Sequence, residues 1–314
     1  MTSVAVSEAS DEDYCGWKMH TKETGFVDRA VDSDAEALAR IRTLLAYLPS
    51  HREEPPPRAP VPPGSDAGAQ RILELVPEDR RKVYDMLAVI EALVDTGSYF
   101  PFKEGFARVV TTGLARLGGQ TVGLVASNPR VKAGALDPDA CEKVTSFVVF
   151  CDSFNIPIVL LADTPGFLVG MAGERRKLPG KIINLLDAFA LCSVPILALV
   201  LRKSYGLAYL AFGGGIADVL GAWTTAEVSL MDPAVAVNVM HGVRQSDDPE
   251  RFGSLVEEMQ RDVSGYALAS GFAAQDVIDP RESREWLIRM LRIHHRRMTN
   301  GVGQHRLGSW PTTL

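Results

Sequence analysis

The sequence lacks the short motifs with which many enzymes hold a nucleophile, a metal ion or a phosphate group. It contains no G-x-S-x-G, no H-E-x-x-H, no P-loop and no G-x-G-x-x-G followed by an acidic residue. Cysteine is scarce as well, and none of the four has C-x-x-C or cysteine–histidine spacing: Cys15, Cys141, Cys151 and Cys192. This spacing favours reduced cytoplasmic thiols over a disulfide framework or a zinc site, and we expect no metal centre.

Long apolar runs and clusters of positive charge are also missing. The longest apolar runs, at 156–162 and 194–201, are too short to span a bilayer. The acidic N-terminus has none of the basic and apolar regions of a signal peptide. A formal net charge of -6, with no basic run between aromatic residues, argues against nucleic acid as a partner. These absences predict a cytoplasmic enzyme subunit that binds neither membrane nor nucleic acid.

Four regions follow one another along the chain. Residues 1–31 are polar and lack periodicity, and 33–48 are predicted to form an amphipathic helix with Ser33 or Asp34 as its cap. Seven prolines fall within fifteen residues from Pro49 onward, which excludes helix and central strand and predicts an extended strap or a disordered linker. From about residue 72 the sequence is typical of a globular domain.

In this last region helices alternate with buried strands. A hairpin is predicted at Gly118–Gly119, and Asp137 with Pro138 is predicted to start a helix in which Cys141 and Cys151 are packing or surface residues, not nucleophiles. The other predicted elements are helix 83–96, strand 156–162, helix 181–191, strand 194–201, strand 227–231 and mostly helical sequence to about residue 297. Such alternation predicts parallel strands joined by right-handed crossovers.

Two loops stand at the carboxyl ends of these strands, where ligands gather in open α/β sheets. They are 163–170 and 204–211, and both carry glycine where the backbone can approach a ligand. A turn at Gly206 opens a short helix, which leaves the N–H groups of Gly206, Leu207 and Ala208 at a helix N-terminus. Free donors there suit a developing oxyanion, with an ordinary tight turn as the alternative at this point.

Neither loop supplies an obvious nucleophile or general base. Asp163 is interpreted as a turn or capping carboxylate, and His241 as a surface residue. Arg202 and Lys203 are candidates for a phosphate contact, although basic residues at a strand end are usually solvated or ion-paired. What remains is a site of backbone donors within apolar walls, which suits chemistry through a stabilised enolate or ureido oxyanion.

Both loops carry recognisable motifs, D-T-P-G-F at 163–167 and R-K-S-Y-G-L-A at 202–208. Further segments are Y-D-M at 84–86, GLARLGGQTVGLVASNP at 113–129, CDSFNIPIV at 151–159 and DVIDPRESR at 276–284. In this order, over about residues 72–298, they resemble the carboxyltransferase (β) subunits of biotin-dependent acyl-CoA carboxylases, the propionyl-CoA and acetyl-CoA carboxylase group.

The resemblance implies an α/β fold of the crotonase (ClpP/crotonase) type, a superhelix of ββα repeats with a C-terminal helical region. In that family an N-terminal half binds acyl-CoA and a C-terminal half binds carboxybiotin. The active site forms where halves of different protomers meet, usually in a hexamer. By this resemblance residues 1–48 are a remnant of the N-terminal half with its connecting helix, 49–71 are a Pro-rich linker, and 72–314 are the C-terminal carboxyltransferase domain.

The resemblance also implies roles for particular residues. These are a backbone oxyanion hole at Gly206, Leu207 and Ala208, a biotin-binding wall at Pro165, Gly166, Phe167 and Tyr205, and an acyl-pocket residue at Leu210. Leu207 stands where many relatives have glycine, and Leu210 where some have aspartate. The backbone donor survives the first change, but the Leu207 side chain is expected to narrow or reshape the pocket, and Leu210 implies an apolar wall.

The implied function is carboxyl transfer from carboxybiotin to the α-carbon of an acyl-CoA, with this chain as the biotin-side half of the active site. The sequence has no ATP-binding motif and no biotin-acceptor Met-Lys-Met, which implies a separate biotin carboxyl carrier protein and biotin carboxylase. An N-terminal-half carboxyltransferase subunit would complete a hetero- or homo-oligomer, a trimer or hexamer. Two alternatives stay open: a biotin-independent crotonase-fold malonyl-thioester decarboxylase, and a non-catalytic structural subunit.

Overall fold

A mixed sheet forms the centre of the computed structural model, which describes residues 15–261 and 263–310. Residues 1–14 of the predicted N-terminal loop therefore lie outside the described part of the chain. The strands are β1 (Phe100–Phe102), β2 (Val110–Leu117), β3 (Gln120–Ser127), β4 (Ile158–Thr164), β5 (Ile196–Tyr205), β6 (Val219–Trp223), β7 (Glu227–Ser229) and β8 (Asp276–Ile278). Their order is β1-β2-β3-β4-β5-β6-β8, and β7 pairs with the carboxyl end of β5. The first three strands are antiparallel and the others pair in parallel.

Helices connect and cover these strands. They are α1 (Trp17–Lys22), α2 (Asp34–Leu45), α3 (Ile72–Leu75), α4 (Met86–Leu93), α5 (Pro138–Ser153), α6 (Met171–Arg175), α7 (Leu178–Leu191), α8 (Leu207–Tyr209), α9 (Pro233–His241), α10 (Pro249–Arg261), α11 (Gly265–Ser270) and α12 (Ser283–His294). A π-helical turn follows α8 at Leu210–Gly214. The predicted alternation with parallel strands is confirmed. Among the described residues, no helix combines the length and hydropathy needed to cross a membrane.

The two central strands, β4 and β5, are apolar on both faces. Every residue of β4 is buried, as expected for a parallel strand between two helical layers. Ile158, Leu160 and Ala162 pack with α5 and α7 on one face of the sheet. Val159 and Leu161 pack with α4 and α12 on the other face. The helices thus cover both faces, and the carboxyl edge of the sheet is left to loops.

The predicted helix starts and the predicted hairpin are confirmed. Ser33 Oγ accepts the N–H of the residue three positions later, at 3.2 Å, where α2 begins. Asp137 does the same for α5 at 2.9 Å, and Pro138 is the first residue of that helix. Gly118 and Gly119 turn the hairpin with φ angles of 60° and 78°, which glycine adopts without steric cost.

Some element boundaries differ from the prediction. The helix predicted over 83–96 spans only Met86–Leu93, because Asp85 caps it from outside. The strand predicted to end at Leu201 continues to Tyr205, since its last residues pair with β7. The short strands β1 and β8, and helix α1, were not predicted, because three to six residues are too few to show a period.

The amphipathic helix α2 leaves part of its predicted apolar stripe exposed. Leu38, Ile41 and Leu45 are each more than half exposed. The chain is anchored just after the helix, where the buried Tyr47 donates its hydroxyl to the carbonyl of Ser98 at 2.6 Å. Leu44 and Leu48 of the same predicted stripe are partly buried and pack against the main core, so this face is covered in part.

The Pro-rich segment 49–71 lies along the sheet as an extended strap. Ala59 N–H donates to the Gly119 carbonyl at 2.9 Å, and Asp66 pairs with the buried Arg284 at 2.9 Å. These contacts explain how a segment without helix or strand until residue 69 is held in place.

Four polar residues at the start of β5 form hydrogen bonds to its backbone or to one another, and we call them the amino-end clasp: Asp152, Ser193, Asp218 and Arg297. Asp152 and Ser193 are buried, whereas Asp218 and Arg297 are partly exposed. The buried Asp152 accepts both the N–H of Ser193 at 2.6 Å and its hydroxyl at 2.8 Å. Asp218 accepts the N–H of Ile196, the first residue of β5, at 2.8 Å and pairs with Arg297 at 2.6 Å. Backbone donors at this end of the strand are therefore bonded to carboxylates.

Candidate functional site

A tight turn joins the carboxyl end of β5 to α8. Gly206 has φ 60° and ψ -140°, a conformation that residues with a side chain adopt only under strain. In α8 the N–H of Tyr209 donates to the Gly206 carbonyl at 3.1 Å, and the chain continues into the π-helical turn. The strand–glycine–helix arrangement predicted here is confirmed. We call Gly206–Ala208 the donor turn.

The three backbone N–H groups of the donor turn are not equivalent. Gly206 donates to the carbonyl of Ser229 in β7 at 2.9 Å. This corrects its assignment as an oxyanion donor, because its hydrogen is already bonded within the sheet. Leu207 and Ala208 have no acceptor among residues 15–261 and 263–310. They are the donors that a helix N-terminus leaves without intrahelical partners.

The second predicted loop lies against the donor turn. Pro165, Gly166 and Phe167 follow β4 directly and are all half-buried. Gly166 has φ 126°, and a Cβ placed on it would lie 3.7 Å from the carbonyl oxygen of Tyr205. Its own carbonyl accepts the N–H of Leu136 at 2.9 Å, which holds the loop from the other side. The structure thus brings this loop together with the predicted donors at one edge of the sheet.

Tyr205 does not belong to the surface of this site. Its side chain is 1% exposed, and its hydroxyl donates to Glu227 at 2.6 Å. Burial and that hydrogen bond raise the pKa of Tyr205, so the hydroxyl stays protonated. The assignment of Tyr205 as a biotin contact is therefore corrected for its side chain, which supports the donor turn from beneath.

Apolar side chains surround the donor turn at the surface. Leu207 is 54% exposed and Leu210 is 37% exposed. Leu230, just after β7, and Val169, just after the half-buried loop, are more exposed still. About half of the Leu207 residue is therefore exposed at the surface beside its own N–H group. Grouped exposed apolar residues mark a surface that binds a ligand or a protein.

The charged residues next to the site are paired and structural. Asp163 is buried and accepts Arg202 Nε at 2.9 Å and the N–H of Lys203 at 3.2 Å. The Arg202 guanidinium also lies 4.6 Å from the ring centre of Tyr84. The interpretation of Asp163 as a turn or capping carboxylate is corrected, because it lies within β4 and pairs across to β5. Arg202 is ion-paired, and His241 is exposed as expected.

The buried thiols are not arranged for chemistry. Burial raises the pKa of the Cys141 thiol to about 12, and it raises that of Cys151 well above its ordinary value. Among the described residues, no group of three or more metal-ligating side chains occurs. The interpretation of both cysteines as packing residues agrees with this burial.

A separate cavity of about 330 Å³ lies beside β2, lined in part by Lys143 of α5. The Lys143 ammonium is buried and donates to the carbonyls of Lys103, Phe106 and Val110 at 2.9–3.0 Å. Burial and the charge of Lys103 lower the pKa of Lys143 to about 7. Since its three donors are all used within the protein, Lys143 fixes the loop before β2 and does not present a donor to the cavity.

One residue near the donor turn was missed by the sequence analysis. Arg80 lies between α3 and α4 and bonds to Glu227, the first residue of β7, and to Asp232, the cap of α9. Its only signal in the sequence is a run of charged residues at 78–82, which is ordinary for an exposed loop.

Comparison with known proteins decides what kind of chain carries this site. Residues 1–306 match the family described as the carboxyl transferase domain. The chain belongs to the carboxyl transferase family. It is 39% identical over 297 residues to the propionyl-CoA carboxylase carboxyltransferase subunit of Haloferax mediterranei, covering 93% of this chain and 58% of the relative. It is 34% identical over 291 residues to the methylmalonyl-CoA decarboxylase subunit alpha of Veillonella parvula, covering 92% and 56%.

Solved carboxyl transferase structures share the fold. A transcarboxylase 12S structure, a hexamer with methylmalonyl-coenzyme A and methylmalonic acid bound, has a TM-score of 0.86 at 32% identity. The alignment covers 93% of this chain and 57% of that one. The predicted family and the crotonase-like α/β fold are thereby confirmed. This chain spans a little over half the length of the carboxyl transferase relatives it matches.

Proposed function

We propose that this chain supplies the biotin-side half of the active site of a biotin-dependent acyl-CoA carboxylase, which transfers a carboxyl group from carboxybiotin to the α-carbon of an acyl-CoA. One observation carries the proposal: the N–H groups of Leu207 and Ala208 lie free at a helix N-terminus, in a chain of the carboxyl transferase family. The biotin belongs to a separate carrier protein, and the CoA thioester is the other substrate.

The residues at the donor turn fit a biotin ring. A ureido group needs hydrogen-bond donors at its oxygen and close backbone approach, and Leu207, Ala208 and Gly166 offer these. When bound, carboxylated biotin supplies the carboxyl group that is transferred. Leu207 and Ala208 N–H then donate to the ureido oxygen and stabilise the negative charge that develops there. Pro165 and Phe167 form a half-buried wall that limits access of water.

Leu210 has a different role in this proposal. It follows α8 directly and is partly exposed beside Leu207, so it presents an apolar surface to the acyl chain. An apolar wall there favours acyl groups without a charge at their far end. Leu207 and Leu210 together therefore shape the pocket without contributing a reacting group.

A partner must complete the site. In this proposal an N-terminal-half carboxyltransferase subunit provides the main acyl-CoA site, and the donor turn of this chain faces it. The exposed Leu207, Leu230 and Val169 around the donor turn support a surface that such a subunit covers. The assembly would be a hetero- or homo-oligomer, a trimer or hexamer, that works with a biotin carboxyl carrier protein and a biotin carboxylase.

The predicted domain division is part of the same proposal. Residues 1–48 are a remnant of the N-terminal half with its connecting helix, 49–71 a linker, and 72–314 the carboxyltransferase domain. The Pro-rich segment supports this division, since it has neither helix nor strand until residue 69 and separates α2 from the sheet.

The second candidate is decarboxylation of a malonyl-type thioester. It is favoured by the similarity to the methylmalonyl-CoA decarboxylase subunit alpha of Veillonella parvula. Backbone donors can stabilise an enolate oxygen as well as a ureido oxygen, so the same turn serves both reactions.

The test is reconstitution with labelled bicarbonate. The chain, its co-purified N-half subunit, biotinylated carrier, biotin carboxylase and ATP are incubated with propionyl-CoA, and acid-stable label in the acyl-CoA is counted. We expect labelling that depends on this chain. Normal labelling without it would contradict the proposal. Release of CO2 from methylmalonyl-CoA by the purified chain alone would favour the decarboxylase. A Leu207→Pro change that leaves turnover of the assembled complex intact would indicate a structural subunit.

A further inference from the structure

We propose that Arg80 is a positioning residue for the donor turn. Its guanidinium joins the three chain segments that meet at Gly206 and so fixes the direction of the Leu207 and Ala208 N–H groups. This inference rests on the proposed function. Arg80 lies 125 to 152 residues before the groups that it contacts. It touches neither the donors nor the half-buried loop, so its effect on the reaction is exerted through other residues.

The guanidinium binds three side chains at once. Arg80 Nη1 donates to Glu227 Oε2 at 2.5 Å and to the Tyr205 hydroxyl at 3.3 Å. Nη2 donates to Asp232 Oδ2 at 2.8 Å. The Tyr205 hydroxyl donates in turn to Glu227 Oε2 at 2.6 Å. We call these four residues the Arg80 network. Its charged members are about one-quarter to one-third exposed, a setting that screens an ion pair less than open surface does.

Each of the three partners is connected to the donor turn, either by the chain itself or by a contact of its own segment. Tyr205 precedes Gly206 in the chain. Glu227 opens β7, whose last residue, Ser229, accepts the Gly206 N–H. Asp232 caps α9 by accepting the N–H of Ala234 at 2.9 Å. The connection between β7 and α9 passes next to Gly206, because a Cβ placed on Gly206 would lie 3.1 Å from the Leu230 carbonyl oxygen.

The segment that carries Arg80 is itself fixed to β5. Lys203 Nζ donates to the Arg80 carbonyl at 3.2 Å, and Arg202 Nη1 donates to the carbonyls of Asp79 and Lys82 at 3.1 and 3.0 Å. The backbone around Arg80 is therefore held by hydrogen bonds from β5, and the Arg80 guanidinium bonds to two carboxylates on different elements. A planar fork can bond both at once, whereas a lysine ammonium in this place is a single point charge.

Charge explains why the network needs arginine. Glu227 and Asp232 are two carboxylates brought close by one guanidinium, and without it they repel each other across the end of β7. Separation of these carboxylates moves β7 relative to α9, and with it the acceptor of the Gly206 N–H. The free donors of Leu207 and Ala208 then lose their fixed direction, on which electrostatic stabilisation depends.

The experiment compares Arg80→Met with Arg297→Met in the assembled complex. Arg297 is a matched control, because it forms a part-buried pair with Asp218 at the opposite end of β5. Two quantities are measured: kcat and KM for carboxyl transfer, and amide hydrogen exchange at Gly206 in the folded chain. For Arg80→Met we expect kcat to fall about tenfold with KM changed less than about twofold, and Gly206 exchange to rise about tenfold. Arg297→Met leaves both unchanged, and Arg80→Lys restores kcat only in part.

Three results would overturn the inference. Arg80→Met could retain wild-type kcat and Gly206 exchange in an assembled complex. Arg297→Met could raise Gly206 exchange as much as Arg80→Met does, which would mean general destabilisation. If Arg80→Met does not fold, Glu227→Gln replaces it, and unchanged kcat and exchange in that variant contradict the inference equally. A wild-type complex without carboxyl transfer refutes the proposed function instead, and the exchange measurement still decides the role of Arg80.

Discussion

The two ends of β5 carry similar ion pairs but differ in the hydrogen bonding of their backbone N–H groups. Each end has an arginine paired with a carboxylate, Arg297 with Asp218 at the start and Arg80 with Glu227 at the finish. At the start, the Ile196 N–H is bonded to the Asp218 carboxylate. At the finish, two consecutive N–H groups have no acceptor in the described ranges. Ala208 is buried, and buried donors are nearly always bonded, so its unbonded N–H at the end where ligands gather marks that end as functional.

The apolar residues follow the same division. Cys192 and Val194, just before β5, are buried in the core, whereas Leu207 and Leu210, just after it, are exposed. The residues just before β5 are thus buried within the chain, whereas those just after it form an exposed apolar surface. The comparison predicts that changes at the carboxyl end alter the reaction and that changes at the amino end alter stability.

The largest effect is expected from Leu207→Pro. Proline suits the first position of a helix, so this change deletes one free donor with little strain. Loss of one oxyanion donor typically lowers kcat by about 100- to 1000-fold. The measurement is kcat for carboxyl transfer in the assembled complex, with assembly checked by size-exclusion chromatography.

Leu207→Ala is the matched control for this change. It shortens the same side chain and keeps the N–H group, so we expect kcat within about threefold of wild type. An equal loss in both variants would show that the side chain matters and the donor does not. The unbonded N–H groups at the carboxyl end of β5 would then have no role in the reaction.

The second prediction concerns the amino-end clasp. Asp152→Ala leaves the N–H and hydroxyl of Ser193 without their buried acceptor, so we expect the free energy of unfolding to fall by about 2–3 kcal/mol. Urea denaturation measures this loss. Asp152→Asn keeps an acceptor oxygen and should lose less. The kcat of folded Asp152→Ala is expected to match wild type, and a large fall in kcat would show that the amino end also serves the reaction.

The sequence predicted the core strands, a helix cap and a hairpin better than the contacts around the donor turn. The apolar runs of β4 and β5, the cap at Asp137 and the glycine hairpin are local signals, and each appeared where expected. The donor turn was also found, because glycine between a buried strand and a helix is a local pattern. The hydrogen bond of the Gly206 N–H was not predicted, because its acceptor, the Ser229 carbonyl, lies in a different strand.

Contacts across long stretches of chain account for the remaining differences. The burial of the Tyr205 side chain depends on Glu227 and Arg80, and Arg80 contacts groups more than 120 residues away. No period or motif in a single sequence carries such information. The role of Leu210, the biotin-side wall and the domain boundaries stay predictions, since they concern a ligand and a partner.

The smallest effect is expected from Leu210→Asp, which tests whether the apolar surface at the carboxyl end selects the acyl group. A carboxylate beside a hydrocarbon chain costs binding energy in proportion to chain length, whereas a short acyl group leaves room for water. We expect the ratio of kcat/KM for butyryl-CoA over acetyl-CoA to fall about tenfold relative to wild type. Leu210→Met keeps the volume and polarity and should keep the ratio. An unchanged ratio in an active Leu210→Asp complex would place the acyl chain elsewhere, and the exposed leucine would then belong to the surface that contacts the partner subunit.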